Sequence, residues 1–269
     1  MKKIIFLSIF FAPLLLVAQE KKLTPRQIKK AEAKAKVDKL IQEEEEGALI
    51  FQKQSAFGIK FNTDGYGIFY ERGKFKSVTK TNLWWVELSE RKHPKEEKFA
   101  KGDPTFGFIV GNPFIYGKVN NFYNFSVGVG QQKLIGGKGN KNGVATTLIY
   151  GGGLSVALMK PYFLEVQDPA TLKNKVIKYN EDTLLFLDPT RIMGAAGFGK
   201  GFDQIDYVPG AHARTALRFD YGRYTETLSA IEVGINASFY SKKIRQMAQN
   251  KENNFFFNAY VALTFGRRK

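Results

Sequence analysis

The stretch NNFFFNAYVALTFGRRK, residues 253–269, decides how this chain is read. Phe255, Phe257, Ala259, Val261, Leu263 and Phe265 fall on one side of a period-two pattern. Phe256, Asn258, Tyr260, Ala262 and Thr264 fall on the other. Sustained alternation marks a strand whose two faces meet different surroundings. No charge interrupts either face between Asn253 and Gly266. A sheet with one face in water carries Lys and Glu on that face. The segment therefore predicts a strand with neither face in bulk water, followed by a return to water at Arg267, Arg268 and Lys269.

The same pattern recurs upstream. AFGIKF sets Phe57, Ile59 and Phe61 against Gly58, Lys60 and Asn62, and an Asp-Gly turn leads into Tyr66, Ile68 and Tyr70 against Gly67, Phe69 and Glu71. Trp84, Val86 and Leu88 alternate with Trp85, Glu87 and Ser89; Tyr123, Phe125, Val127 and Val129 alternate with Asn124, Ser126 and Gly128. Further on, Leu148, Tyr150, Leu154, Val156 and Leu158 oppose Gly151, Gly153, Ser155 and Ala157. Ala213, Thr215, Leu217 and Phe219 oppose Arg214, Ala216, Arg218 and Asp220, and Ile231, Val233, Ile235, Ala237 and Phe239 oppose Glu232, Gly234, Asn236 and Ser238. With the opening segment these make eight strand candidates, each long enough to cross a bilayer at a tilt.

Charge decides which face looks where. Residues 120–132 and 144–159 are uncharged on both faces, and 229–240 hold only Glu232. The less apolar faces carry Gly, Ala, Ser and Asn, which suits the crowded interior of a small barrel with its apolar faces turned to lipid. A soluble lipocalin-like barrel or sandwich is the alternative. Cysteine is absent, so no disulfide framework and no thiol chemistry is expected.

Together these features resemble the small Gram-negative outer-membrane β-barrels of the OmpA and OmpX type over residues 55–265. The expected fold is all-β, an eight-stranded antiparallel transmembrane β-barrel preceded by a signal peptide and a short charged α-helix. The resemblance implies a terminal aromatic residue read by the insertion machinery, a part that Phe265 would play although Gly266 to Lys269 follow it. It also implies outer-membrane localisation with both barrel termini periplasmic. The long connections at 91–119 and 160–204 would then lie outside, with 62–65 and 241–252. Those at 73–79, 131–143 and 222–226 would lie inside.

Ahead of the barrel, residues 1–18 read as a Sec signal peptide: Lys2 and Lys3, an apolar run to Val17, then Ala18 before Gln19 and Glu20. Residues 19–54 are expected to hold a periplasmic charged helix and linker. Thr24 suits the N-cap, Pro25 the first helical position and Gln27 a capping box, with Glu32 and Lys36 at i,i+4. This helix reads as a solvated spacer or as a docking arm for a periplasmic or outer-membrane protein partner. The chain carries a formal charge of +16. An exported basic protein meets lipid phosphates, including those of lipopolysaccharide, before it meets nucleic acid.

Chemistry is sparse. IGGKGNKNG lacks the Ser or Thr of a phosphate loop and reads as a turn. Ser155 sits inside a strand, and Ala157 stands where a nucleophile elbow needs glycine. His93 with Glu96 and Glu97 reads as a solvated charge run, not a metal site. No cofactor is expected. Lys60, Glu71, Glu87, Arg214, Arg218, Asp220 and Glu232 share the inward parity and are expected to form an ionic cluster filling the lumen. His212 shares that parity near the outer mouth. The expected function is a non-enzymatic structural, binding or assembly component of the outer membrane. The alternatives are a lipid A-modifying barrel enzyme, hydrolase or acyltransferase, centred on His212, and an accessory barrel of a secretion machine docking through residues 24–46. The basic, aromatic loops 91–119 and 160–204 suit either binding or packing on one another.

Overall fold

A computed structural model describes residues 52–77, 79–102, 109–138, 143–222 and 226–269, together with Glu32. The chain divides into two units, Met1–Gln42 and Glu43–Lys269. In the first, Glu32 is helical and exposed. The expected signal peptide and the rest of the charged helix lie outside the described residues.

Among the described residues the second unit holds thirteen strands: β1 (Lys53–Asn62), β2 (Gly65–Ser77), β3 (Lys80–Arg91), β4 (Lys98–Gly102), β5 (Ile109–Ile115), β6 (Asn120–Gly136), β7 (Ala145–Pro161), β8 (Phe163–Gln167), β9 (Asn174–Lys178), β10 (Ile192–Ala195), β11 (Asp206–Asp220), β12 (Thr227–Ile244) and β13 (Asn253–Arg268). A short helix α1 (Thr183–Phe186) and a 3-10 turn (Phe202–Gln204) interrupt the later loop. Eight strands close into one antiparallel barrel in the order β1-β13-β12-β11-β7-β6-β3-β2. The eight-stranded barrel read from the sequence is the one observed. It begins two residues earlier than expected, at Lys53.

The opening stretch supplies β13, which pairs with β12 on one side (Ile231 opposite Leu263) and with β1 on the other (Phe57 opposite Phe265). The second pairing closes the ring and removes both edges. Burial follows the sequence parity. Phe57 is 48 % exposed, Leu154 73 % and Phe257 62 %, whereas Phe69, Trp85, Ala216 and Tyr260 on the opposite parity are buried. Several strands outrun the expected boundaries. β12 has 18 residues, which at ordinary rise and tilt spans about 40–45 Å along the axis, well beyond an apolar band of about 25 Å.

The two ends of the barrel differ. At the end that holds both barrel termini, the gaps between strands are the short ones at 77–80, 136–145 and 220–227. The other end carries the tight turn at 62–65 and two insertions. Gly65 has φ +152°, and a Cβ there would strike the Glu90 carbonyl, so that turn requires glycine. The β4–β5 hairpin fills the first insertion, and the three-stranded sheet β10-β8-β9 fills the second. Phe114 from the hairpin is buried with Leu164, Val166, Ile177, Phe186 and Ile192 in a small core of their own. Asp182 caps α1 by accepting the Leu185 N–H at 3.0 Å. The Asp168 carboxylate accepts the Thr171 and Ala170 N–H groups, which holds its carboxyl below the usual range. The two long loops thus pack on one another.

Candidate functional site

The interior of the barrel is a connected polar network. Arg218 is fully buried and reaches Glu71 at 2.5 Å through Nη1 and 2.7 Å through Nη2. Its Nε and Nη2 also donate to Glu232 Oε2 at 3.0 and 2.6 Å. Glu232 accepts the Tyr260 hydroxyl at 2.6 Å, and Lys60 lies 4.1 Å over the Tyr260 ring while pairing with Glu87 at 2.5 Å. Arg214 stands 3.6 Å from Glu71 and stacks 3.9 Å above Trp85. Six inward charges, Lys60, Glu71, Glu87, Arg214, Arg218 and Glu232, meet in the lumen from β1, β2, β3, β11 and β12 because period-two parity points each of them at the axis. Asp220 stands apart from the others, near the termini end, where it pairs with Arg268 at 2.6 Å.

That last pairing is a correction. Arg268 was expected in water beyond the final strand, yet β13 runs on to it and its side chain is buried. Its parity with Thr264 and Ala262 carries it inward, where Arg268 Nε also donates to Gln54 Oε1 at 3.2 Å. Gln54 Nε2 then donates to Glu71 at 3.1 Å, joining Asp220 to the central cluster. Lys138 closes the same mouth, 3.6 Å from Asp220 and bonded to the Gly222 carbonyl. Lys138, at the start of the glycine-rich turn, is therefore tied to the end of β11.

Packing fills what charge leaves. Trp85 is fully buried, and a Cβ at Gly128 or Gly151 would collide with its ring. The indole occupies room that side chains on β6 and β7 would otherwise need, the large-against-small arrangement of a narrow barrel. Towards the insertion end, Phe122, Tyr240 and Phe256 pack edge to face with centroids 5.3–5.8 Å apart. Arg91 lies over the Phe122 and Phe256 rings and donates to Ser238 Oγ at 3.0 Å.

His212 is buried on β11 and meets Ser155 on β7, with 2.9 Å between Ser155 Oγ and His212 Nδ1. Sequence spacing does not reveal this pair, because Gly210 opposite Ser155 and His212 opposite Gly153 become neighbours only through the β7–β11 register. Trp85 Nε1 lies 3.3 Å from His212 Nε2, and an indole N–H can only donate. Nε2 is the acceptor of that contact, and the direction of the Ser155–Nδ1 hydrogen bond follows the tautomer of the ring.

Elsewhere, His93 and Glu96 are held together, with the His93 N–H 3.0 Å from Glu96 Oε1. Glu96 is not solvated as expected: it forms a buried ion pair with Lys118 at 2.7 Å.

A second constellation lies outside the lumen at the insertion end. A cavity of about 690 Å³ is lined by Lys92, Lys98, Lys118, Lys160 and Lys200, with Glu90 and Glu96 the only carboxylates among its lining residues. Its floor is the outward row Tyr66–Glu90–Tyr123 on β2, β3 and β6, and the loop segment Ala195–Ala196–Gly197–Phe198 lines it from the insertion side. Two lysines are preset by the fold. Lys160 Nζ bonds the Phe198 carbonyl at 2.6 Å and sits 4.1–4.2 Å over the Phe198 and Phe202 rings, and Lys118 is held by Glu96. Lys92, Lys98 and Lys200 are exposed.

No protein-family model and no curated protein matches the chain. Among solved structures, the chain resembles small outer-membrane barrels. Neisserial surface protein A aligns at 8 % identity and a TM-score of 0.38, over 81 % of this chain and 96 % of that one. The attachment invasion locus protein Ail of Yersinia pestis aligns at 9 % and 0.36, over 82 % and 100 %. The N-terminal β-barrel domain of OprF from Pseudomonas aeruginosa aligns at 8 % and 0.35, over 80 % and 98 %.

Proposed function

We propose that this chain is a non-enzymatic outer-membrane barrel, plugged along its axis, that binds the phosphates of outer-leaflet lipid with its lysine-lined cavity. The observation that carries the reading is the inversion of an ordinary protein. Phe57, Ile59, Val233, Ile235, Phe257 and Val261 face outward and exposed, while Lys60, Glu71, Arg218 and Glu232 are fully buried. Charges cost several kcal/mol each to bury, and an exposed apolar belt around a whole barrel has one stable solvent, which is lipid.

Ile235→Arg tests the membrane. In a bilayer it is expected to destabilise the barrel by about 2–4 kcal/mol, measured by urea unfolding in liposomes. If that face met water, the change would stay within about 0.5 kcal/mol. The cavity is tested by replacing the exposed Lys92, Lys98 and Lys200 together with Gln. Each lysine near an anionic surface contributes about 1 kcal/mol, so binding to vesicles containing lipopolysaccharide is expected to weaken by about a hundredfold. Unchanged binding refutes that assignment. A His212→Ala variant is expected to leave the acyl pattern of co-extracted lipid A as it was; an altered pattern would instead favour the lipid-modifying alternative.

A further inference from the structure

The wall at the opposite end of the barrel carries a second charged feature, set by register. Reading outward-facing positions around the ring, one row runs Phe265–Phe57–Tyr70–Val86. The next row toward the barrel termini runs Arg267–Ser55–Arg72–Trp84–Val129. The one after runs Lys53–Lys74–Asn82–Gln131–Tyr150. Four cations therefore surround Ser55: Arg72 and Arg267 flank it on either side, and Lys53 and Lys74 lie one row beyond.

All four are exposed, and none makes an ion pair among the described residues. Lys53 sits directly opposite Lys74, an arrangement that is destabilising unless an anion comes between. Neither of the two basic rows contains a side-chain carboxylate. Beside the cations the wall is hollowed by a depression of about 730 Å³ lined by Lys53, Arg72, Lys74, Asn82, Trp84 and Gln131, among others. Asn82 and Gln131 share a hydrogen bond of 3.3 Å, and Tyr150 donates to Gln131 at 2.9 Å. Next to Val129 the register places Gly152, which leaves the wall bare where an acyl chain would run.

We infer that this depression is a site for an anionic diacyl phospholipid. Its phosphate sits among Arg72, Lys53 and Lys74, its ester groups against the Asn82–Gln131 pair, and one acyl chain along Trp84 and Val129 over Gly152. The occupant is a lipid because the row immediately above is the exposed apolar belt, so the inference rests on the membrane reading. Trp and Tyr at this level match the headgroup boundary, where amphipathic rings settle. Cationic side chains there meet lipid phosphate directly.

The two tryptophans of the chain make the test direct, since Trp84 faces out and Trp85 is buried. The full chain is reconstituted in phosphatidylcholine bilayers containing a fixed fraction of either brominated phosphatidylglycerol or brominated phosphatidylcholine, and fluorescence quenching is compared. Brominated phosphatidylglycerol is expected to occupy the site about fivefold or more in preference, the factor one such cation supplies. That preference is expected to vanish in the Lys53→Gln, Arg72→Gln, Lys74→Gln variant and to persist in Lys173→Gln, an exposed lysine of the second insertion at the far end. A Trp85→Phe chain isolates the Trp84 signal; if it does not fold, the native chain gives the same ratio over a constant buried background. Equal quenching by the two lipids overturns the site while leaving the membrane reading intact. No quenching by either lipid overturns both.

Discussion

Arg218→Ala is expected to remove about 3–5 kcal/mol of folding stability, the penalty for stranding a buried partner. Arg218 is the single guanidinium between Glu71 and Glu232, donating to both carboxylates and fully buried itself. Without it two carboxylates face each other in a narrow lumen, with Arg214 at 3.6 Å as the nearest remaining cation on Glu71. The measurement is urea unfolding in lipid vesicles followed by tryptophan emission. A companion variant separates the loss of a partner from the loss of the ion pairs themselves. Arg218→Met combined with Glu232→Gln removes one cation and one carboxylate and leaves Glu71 with Arg214 at 3.6 Å, and replacements that remove both charges of a buried pair are often neutral or stabilising. If the double variant is as unstable as Arg218→Ala, the cluster acts through specific hydrogen bonds and not through compensated charge.

Trp85→Ala is the second large effect, with an expected cost of about 3–5 kcal/mol for a fully buried aromatic. Its ring lies on Gly128 and Gly151, carries the Arg214 guanidinium at 3.9 Å and donates to His212. Removing it leaves no neighbouring side chain able to fill the space, because the adjacent wall is glycine. The variant is expected to admit water along the axis, and single-channel recording is expected to show conductance in Trp85→Ala against a closed wild type. An equally closed variant would show that the salt-bridge network seals the lumen without help. Gly128→Val, which overpacks the same contact, is expected to destabilise by about 1–3 kcal/mol.

The barrel was legible because period two and charge distribution are local properties. Lys60, Glu71, Arg214 and Arg218 could be placed in the lumen from parity alone, since each alternates with a lipid-type neighbour. Their partners could not. Glu71 and Arg218 are separated by 147 residues and meet through strand tilt and register, which no local pattern encodes. Ser155 and His212 meet for the same reason. Arg268 was misread because three consecutive cations suggest solvent, although extending the parity of Ala262 and Thr264 by two steps would have placed it inward. The loop core around Phe114, Leu164 and Phe186 was hidden by the brevity of its strands, too short for periodicity to show. The lysine cavity draws on both insertions and on the barrel wall, so composition could only suggest it.

The pairing of β13 with both β12 and β1 has a kinetic consequence. Gln54 and Arg268, bonded across the closing seam, are 214 residues apart, whereas the other seams join strands that follow one another around the ring. Loop-closure entropy must be met before such a contact returns any stability. Assembly thus has one late, non-local step, and until it occurs two apolar edges stand open. The triple phenylalanine of β13 belongs to one of those edges, so the waiting intermediate is the aggregation-prone species. That exposure ends when Phe265 pairs with Phe57.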